Sequence, residues 1–195
     1  ELEDRERPGA YHRIGLPSTA DPSHLIFIET TRPELLAACV ALVAHPDDER
    51  YQPLFGTTVT TPAFGVEVPV LAHALADPEK GSGIAMICTF GDLTDVTWWR
   101  ELSLPTRPII GWDGRILPEV PEWITSDAGR EAYATIAGAT SHTAKERTVE
   151  LLEVAVAEEA RGRDVGQHDE VALGPGRPVE HEITRPTSIT KGEPP

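Results

Sequence analysis

Two acidic residues, Asp92 and Asp95, form the first pair of side chains whose types and spacing can carry a reaction. They lie at the start of residues 92–102, a stretch that predicts a short helix, and residues three apart lie close together on one helix face. A carboxylate binds an ammonium group through a charge-assisted hydrogen bond, a role that suits Asp95. Asp92 would then orient a water molecule or read a hydroxyl group. Purely structural roles, as an N-cap and a first-turn acid, are the alternative.

A second group lies in the segment Thr-Thr-Arg-Pro-Glu at 30–34. The guanidinium of Arg32 suits a phosphate, while Thr30 and Thr31 supply hydroxyl and N–H groups at a predicted helix start, where an anion or a developing oxyanion is favoured. The spacing of Thr31 and Glu34 also matches a capping box with a proline in the first turn. A structural role for this segment therefore stays open.

The cysteines and histidines do not predict a metal site. Cys39 and Cys88 are far apart in the sequence without a Cys-x-x-Cys motif, and none of the seven histidines has a metal-ligating spacing. Cys88 lies in an apolar run with no histidine near it in the sequence, so we expect water rather than a thiol as the nucleophile of any hydrolysis. Two unpaired cysteines fit a reducing compartment.

The elements that position these groups follow from hydrophobic periodicity. Residues 24–29 predict a strand, and residues 33–45 predict a helix with apolar side chains at helical spacing that ends before Pro46. Short β-prone stretches, typical of a small barrel or sandwich, follow at 57–61, 66–71, 84–90 and 108–110. Residues 112–115 predict a tight turn, and residues 143–160 predict a long helix that begins with a capping box of Thr143 and Glu146.

These elements predict a β-dominated α+β fold, a compact β-barrel with two or three flanking helices. Prolines interrupt residues 1–23, which we interpret as a lead-in segment without regular structure. Residues 24–162 form the predicted domain. Residues 163–195 lose periodicity and are interpreted as an exit arm with one strand at 179–184.

Composition and charge narrow the functional class. The 195 residues fit one domain, and 17 Lys and Arg against 32 Asp and Glu give a net charge of −15. This charge excludes a general nucleic-acid coat and a polybasic membrane binder. No apolar run approaches the roughly 18 residues of a membrane span, so we expect a soluble, cytoplasmic protein. The only methionine, Met86, is internal, so the sequence is consistent with an excised piece of a longer protein.

The order of the motifs resembles the editing insertion of valyl-tRNA synthetases, which are class I aminoacyl-tRNA synthetases. The motifs are Thr-Thr-Arg-Pro-Glu-Leu-Leu at 30–36, His-Pro-Asp-Asp-Glu-Arg-Tyr at 45–51, Asp-Pro-Glu-Lys-Gly-Ser-Gly-Ile at 77–84 and Gly-Asp-x-x-Asp at 91–95. Two further stretches, 98–100 and 109–116, are similar to the valine enzymes rather than to their isoleucine or leucine relatives. The resemblance is strong from about 24 to 117 and looser from 118 to 195.

The resemblance implies a hydrolytic reaction. A pocket that accepts valine rejects isosteric threonine poorly, so a second site hydrolyses threonyl-tRNA(Val) after transfer. The chain lacks His-Ile-Gly-His and Lys-Met-Ser-Lys-Ser, the motifs of the synthetic site. It is therefore not expected to form aminoacyl-adenylate. Editing would need no cofactor, because ATP serves only the missing synthetic domain.

The resemblance also assigns site residues. Those that match the family's pocket are Thr30, Thr31, Arg32, Asp92 and Asp95. Met86 and Cys88 stand where many bacterial relatives have a lysine and a threonine, so we assign both to the substrate pocket. Phe90 and His73 are further candidates to line it, with packing or surface roles as the alternative.

The implied partners are the 3′-terminal adenosine of tRNA(Val) carrying threonine and the rest of the synthetase in cis, with the chain expected to be a monomer. At a net charge of −15 the chain cannot rely on nonspecific phosphate attraction, so we expect it to recognise only the single-stranded end and to bind tRNA weakly alone. Two alternatives stay open. One is a noncatalytic module that docks the tRNA end or a protein partner, and the other is a small hydrolase unrelated to tRNA.

Overall fold

The structure is a computed structural model that describes residues 11–88 and 93–164. Strands predominate in the first part and helices in the second. The elements in chain order are β1 (His12–Pro17), β2 (Leu25–Thr30), a first 3-10 helix (Pro33–Ala38), β3 (Ala41–Ala44), a second 3-10 helix (Gln52–Leu54), β4 (Thr58–Thr60), β5 (Glu67–Ala72), β6 (Ile84–Ile87), α1 (Leu93–Glu101), α2 (Asp127–Ile136) and α3 (Ser141–Asp164).

The strands form two sheets. β1 and β2 pair antiparallel, with Ile14 opposite Ile28 and Leu16 opposite Ile26. The other sheet has the order β4-β5-β3-β6, in which β3 runs parallel to β5 and antiparallel to β6. β3 is buried at all four positions, as expected for a strand covered on both faces. The edge strand β6, which leads towards Cys88, is thus fixed by its pairing with the most buried strand.

A small apolar cluster attaches α1 to the four-stranded sheet. Trp98 of α1 is 7% exposed and packs with Val43 of β3, Ile87 of β6 and Leu104. Burying a large aromatic side chain in this way contributes about 2–3 kcal/mol. The first turn of α1, which carries Asp95, is therefore held at a fixed position relative to the end of β6.

A larger core packs both sheets against the first 3-10 helix, α2 and α3. Its largest fully buried side chain is Tyr133 of α2, whose hydroxyl donates to the carbonyl of Leu117 over 3.0 Å. Burial raises the pKa of Tyr133 to about 12. The phenol thus stays neutral at physiological pH. On α3, Thr148 is buried and its hydroxyl donates to the carbonyl of Ala144.

The prediction of one helix over residues 33–45 is wrong in its second half. The 3-10 helix ends at Ala38, and β3 begins at Ala41. A strand buried on both faces has a continuous apolar sequence, and such a run fits helical spacing as well as it fits a strand. Periodicity alone could not separate the two.

Three elements were not predicted: β1, the second 3-10 helix and α2. β1 lies inside residues 1–23, where prolines led us to expect no regular structure, but Pro17 only ends the strand, where a missing N–H group is tolerated. α2 was also missed. Ser126 is its N-cap, and the Ser126 hydroxyl accepts a hydrogen bond from the Gly129 N–H over 3.1 Å.

Most other predicted elements are confirmed. β2, β4, β5, β6 and α1 overlap the predicted stretches, and the turn at 112–115 forms, with Gly114 at a φ of 75° and its N–H donating to the Gly111 carbonyl. The predicted strand at 108–110 is wrong, because this stretch forms only an isolated bridge between Ile110 and Ile116. α3 occurs but begins earlier, and its predicted capping box is wrong. The Thr140 hydroxyl accepts from the Thr143 N–H over 3.3 Å, and Glu146 lies 3.5 Å from His142. The predicted strand at 179–184 lies outside the described residues.

The described part of the chain is mixed α+β. Its helices span more residues than its strands, so it is not β-dominated, because the strands are only three to six residues long and α3 alone has 24. No closed barrel is found among the strands of residues 11–88 and 93–164, where two separate sheets occur. The barrel stays a prediction. In the same ranges, no helix combines the length and apolarity that a membrane crossing needs.

Gly129 provides a test of how α2 packs. A Cβ at this position would stand 2.3 Å from the Phe64 carbonyl oxygen and 2.8 Å from the Ser126 Oγ. Overpacking costs about 1–3 kcal/mol and outweighs the gain of about 1 kcal/mol in helix propensity, so we expect Gly129→Ala to lower the free energy of unfolding in urea by about 1 kcal/mol. Ala128→Gly, at an exposed neighbouring position, calibrates propensity alone. A Gly129→Ala chain more stable than the wild type would contradict this packing.

Candidate functional site

A cavity of about 470 Å³ lies where the end of β2, the first 3-10 helix, the end of β6 and the first turn of α1 meet residues 106–110. Six of the residues that the sequence analysis assigned to a site line this cavity: Thr30, Thr31, Arg32, Met86, Cys88 and Asp95. They come from three separate stretches of sequence. The fold therefore places a carboxylate, a guanidinium and two hydroxyls around one volume.

Of the three remaining assigned residues, the structure describes only His73. Asp92 and Phe90 lie outside the described residues. His73 does not line the cavity. Its Nε2 lies 2.8 Å from a carboxylate oxygen of Glu101, and its ring meets the ring of Trp98 edge-on. This places His73 in the packing of α1, which was the alternative interpretation.

Arg32 is positioned by its own short segment. The Thr30 hydroxyl accepts a hydrogen bond from the Arg32 N–H over 3.0 Å, and the Arg32 Nε donates to the Glu34 carboxylate over 3.2 Å. Glu34 is 3% exposed, whereas the Arg32 side chain is 47% exposed. A buried carboxylate thus holds the inner edge of a guanidinium whose outer edge faces solvent and the cavity.

The predicted capping box of Thr31 and Glu34 is wrong. The N-cap residue of the 3-10 helix is Arg32, and no side chain caps it. The Glu34 carboxylate instead binds the Arg32 side chain, which competes more strongly for it than a neutral N–H group would. Glu34 is therefore a positioning residue for Arg32, a role that its capping-box spacing concealed.

Residues 45–51 hold the loop before β6, which contains Pro78 and Ser82. Arg50 donates to both carboxylate oxygens of Asp48, at 2.8 and 2.6 Å, and to the Pro78 carbonyl at 2.9 Å. The Tyr51 hydroxyl donates to the Ser82 carbonyl over 2.6 Å. The hydrogen bond from Arg50 lowers the pKa of Asp48, so this carboxylate stays ionised at neutral pH. The motif at 45–51 therefore supports the site from outside the cavity.

Gly83 in the same loop has a structural role. Its φ is +82°, and a Cβ there would stand 2.3 Å from the Arg50 guanidinium and 2.8 Å from the Pro78 carbonyl oxygen. Only glycine meets both requirements at low cost. The glycine-rich stretch at 81–83 thus makes a tight turn against Arg50.

Cys88 is a neutral thiol in the cavity wall. Its pKa is raised well above the ordinary value, first by the neighbouring Cys39 thiol, then by burial and by the negative charge of Asp95, while Arg32 acts in the opposite direction. The Cys88 Sγ also donates to the Leu35 carbonyl over 3.4 Å. Because the thiolate is the nucleophilic form, a thiol with a raised pKa is a poor nucleophile at neutral pH.

Arg107 also lines the cavity, and the sequence analysis missed it. It donates to the Cys39 carbonyl through Nη1, and its guanidinium lies 5.8 Å from the centre of the Trp123 ring. Burial lowers the pKa of Arg107. Arg107 lies in a proline-flanked stretch with no spacing relation to the other site residues, so no sequence signal pointed to it.

A second cavity of about 450 Å³ lies beside the β1–β2 hairpin and is lined by Arg13, Phe27 and Arg50, and none of the assigned site residues lines it. Within residues 11–88 and 93–164, no three His, Cys, Asp or Glu side chains are grouped so as to hold a metal ion. The first cavity is therefore the candidate functional site.

Comparison with known proteins finds extensive similarity to valine–tRNA ligases. The enzyme of Thermobifida fusca is 72% identical over 152 residues, which cover 78% of this chain and 17% of that protein. The enzyme of Leifsonia xyli subsp. xyli is 62% identical over 183 residues, covering 94% and 19%, and that of Salinispora tropica is 55% identical over 192 residues, covering 98% and 22%. The chain thus spans about a fifth of these relatives.

The other comparisons add little. No protein-family model matches the chain. The LeuRS chain of a LeuRS-tRNA-LeuAMS ternary complex from Agrobacterium radiobacter K84 aligns at 19% identity with a TM-score of 0.44, over 62% of this chain and 18% of that one. A score this low does not support a shared fold.

The raised pKa of Cys88 predicts slow alkylation. At pH 8 we expect iodoacetamide to modify Cys88 in the folded chain more than about tenfold more slowly than in the urea-unfolded chain, because the Cys39 thiol and burial suppress the thiolate. Peptide mass spectrometry at timed intervals measures both rates. Equal rates in the folded and unfolded chains would contradict the placement of Cys88.

Proposed function

The chain belongs to the valine–tRNA ligase family, and we propose that its cavity hydrolyses threonyl-tRNA(Val), the editing reaction that protects valine codons. The observation that carries the proposal is the grouping of Asp95, Arg32 and the two threonines around one volume of about 470 Å³. A cavity of this size is in the range that binds a small ligand such as an aminoacylated nucleotide end.

The substrate's groups match the side chains of the cavity. A threonyl ester has an α-ammonium group, which a carboxylate such as Asp95 binds through a charge-assisted hydrogen bond. Its terminal nucleotide has an anionic phosphodiester, which suits a guanidinium such as that of Arg32. Thr30 and Thr31 offer hydroxyl and N–H groups to the ester carbonyl, on which negative charge develops. The pocket for the threonine side chain would then be formed with Met86 and Cys88.

Water is the proposed nucleophile. It adds to the ester carbonyl carbon, the bond from that carbon to the ribose oxygen breaks, and the leaving oxygen takes up a proton, giving free threonine and tRNA. The neutral thiol of Cys88 is a poor competitor for this role. We assign the orientation of the water to Asp92, which lies outside the described residues.

The rest of the synthetase is the proposed partner in cis. The net charge of −15 opposes binding of a tRNA body, because the affinity of a protein for nucleic acid grows with the number of phosphates that its Lys and Arg side chains neutralise. The cavity itself is different, because Arg32 and Arg107 both line it. We therefore propose that this chain binds only the single-stranded end, without a cofactor, while other parts of the enzyme hold the tRNA body.

Asp95→Asn tests the reaction. The amide keeps the shape of the side chain but loses the charge that pairs with the α-ammonium group, so we expect release of labelled threonine from threonyl-tRNA(Val) to fall by about 100-fold or more. Asp127→Asn is the matched control, because Asp127 is an exposed acid in the first turn of α2 and lies outside the cavity. This control should keep the wild-type rate. Circular dichroism verifies that both variants fold.

The same assay separates the alternatives. A wild-type chain that binds threonyl-tRNA(Val) without releasing threonine would identify a noncatalytic docking module. A chain that cleaves threonine methyl ester as fast as the tRNA-linked ester would be a general hydrolase. Either result, or an Asp95→Asn chain with full activity, would contradict the proposed function.

A further inference from the structure

We propose that Arg107 binds the phosphodiester that joins the terminal adenosine to the preceding nucleotide. The cavity would then recognise an aminoacyl nucleotide end rather than an aminoacyl nucleoside. This inference rests on the proposed function and extends it, because it names a second phosphate-binding group that no sequence motif indicated.

The first observation is that Arg107 is held in place with much of its hydrogen-bonding capacity unused. A guanidinium has five N–H donors in a fixed plane. In the described part of the chain, the only hydrogen bond found for this side chain runs from Nη1 to the Cys39 carbonyl. Its guanidinium also lies 5.8 Å from the centre of the Trp123 ring, and the Trp123 Nε1 donates to the Ala37 carbonyl over 2.8 Å. The remaining donors are thus pre-organised beside the cavity.

The second observation is electrostatic. Arg107 is half-buried, and no carboxylate among residues 11–88 and 93–164 lies within ion-pairing distance of it. Arg32, by contrast, has Glu34 as a close counter-ion. A partly desolvated cation without a counter-ion is costly, and an anionic ligand that binds it recovers part of that cost. Burial, which lowers the pKa of Arg107, reflects the same cost.

The chemistry of the substrate selects the anion. The α-amino group is cationic or neutral, the ester is neutral and the adenine is neutral, so the phosphodiester is the one permanent negative charge near the reacting bond. A planar guanidinium matches two phosphate oxygens in a bidentate geometry, which a lysine cannot reproduce. The cavity would therefore have separate subsites, with Asp95 for the ammonium group and Arg107, together with Arg32, for the phosphate.

The test compares two non-hydrolysable ligands on the full chain. The first is 3′-threonylamino-3′-deoxyadenosine, and the second is the same nucleoside with a 5′-methyl phosphate diester, both titrated by isothermal calorimetry. We expect the wild type to bind the phosphodiester about tenfold more tightly. Arg107→Gln should lower this preference to about threefold or less, the part that Arg32 supplies, and leave the affinity for the nucleoside unchanged. Arg107→Lys, which keeps the charge without the planar fork, should give an intermediate preference.

A control variant separates a local contact from general charge. Arg100→Gln removes one positive charge from the exposed end of α1, outside the cavity, and should keep the full preference. In threonyl-tRNA(Val) hydrolysis, Arg107→Gln should raise KM with little change in kcat. A purely structural role would instead weaken both ligands equally.

The outcomes distinguish the two proposals. An Arg107→Gln chain that keeps the phosphodiester preference, or that loses affinity for both ligands equally, would overturn the role of Arg107 while leaving the editing function intact. A wild type that prefers neither ligand would do the same. A wild type that binds neither ligand would contradict the proposed function and, with it, this inference.

Discussion

The burial of strand β3 is the constraint on which the rest of the structure depends. β3 pairs with β5 on one side and with β6 on the other, and every one of its four residues is buried. The first 3-10 helix leads into it, and α1 packs against it through Trp98. The first 3-10 helix, β6 and α1, which all contribute residues to the cavity, are thus attached to one buried strand. A polar substitution in β3 would therefore disturb the packing that holds these three elements together.

The candidate site carries positive charge, whereas the chain as a whole is strongly negative. The chain has a net charge of −15, yet its candidate site holds two guanidiniums and one described carboxylate, Asp95. Arg32 is held by the buried Glu34, whereas Arg107 is held by a backbone carbonyl and an aromatic ring. The net negative charge opposes binding of a long nucleic acid, whereas the two guanidiniums offer one place where a short anionic end can bind. In the proposed reaction, this division of charge would leave the tRNA body to other parts of the enzyme.

Sequence motifs predicted six of the residues that line the cavity. The Thr-Thr-Arg segment, Met86, Cys88 and Asp95 were assigned to one pocket because their motifs resemble a family, and the fold groups them around one cavity. Features that depend on tertiary contacts were not predictable. β3 was taken for helix because burial on both faces removes the alternation that marks a strand. The spacing of Glu34 from Thr31 matched a capping box, but the Glu34 carboxylate binds the Arg32 guanidinium instead. Arg107 reaches the cavity from a loop without regular structure, whose path no sequence pattern indicates.

The central claim is that one cavity binds an aminoacylated nucleotide end through Asp95 and the guanidiniums. A crystal structure of the chain with a non-hydrolysable threonyl-adenosine 5′-phosphodiester tests it most directly. We expect the ligand's ammonium group to lie within about 3 Å of the Asp95 carboxylate and its phosphate to lie against a guanidinium of the same cavity. A ligand bound elsewhere, for example beside the β1–β2 hairpin, or an Asp95 carboxylate turned away from the bound ammonium group, would contradict the account.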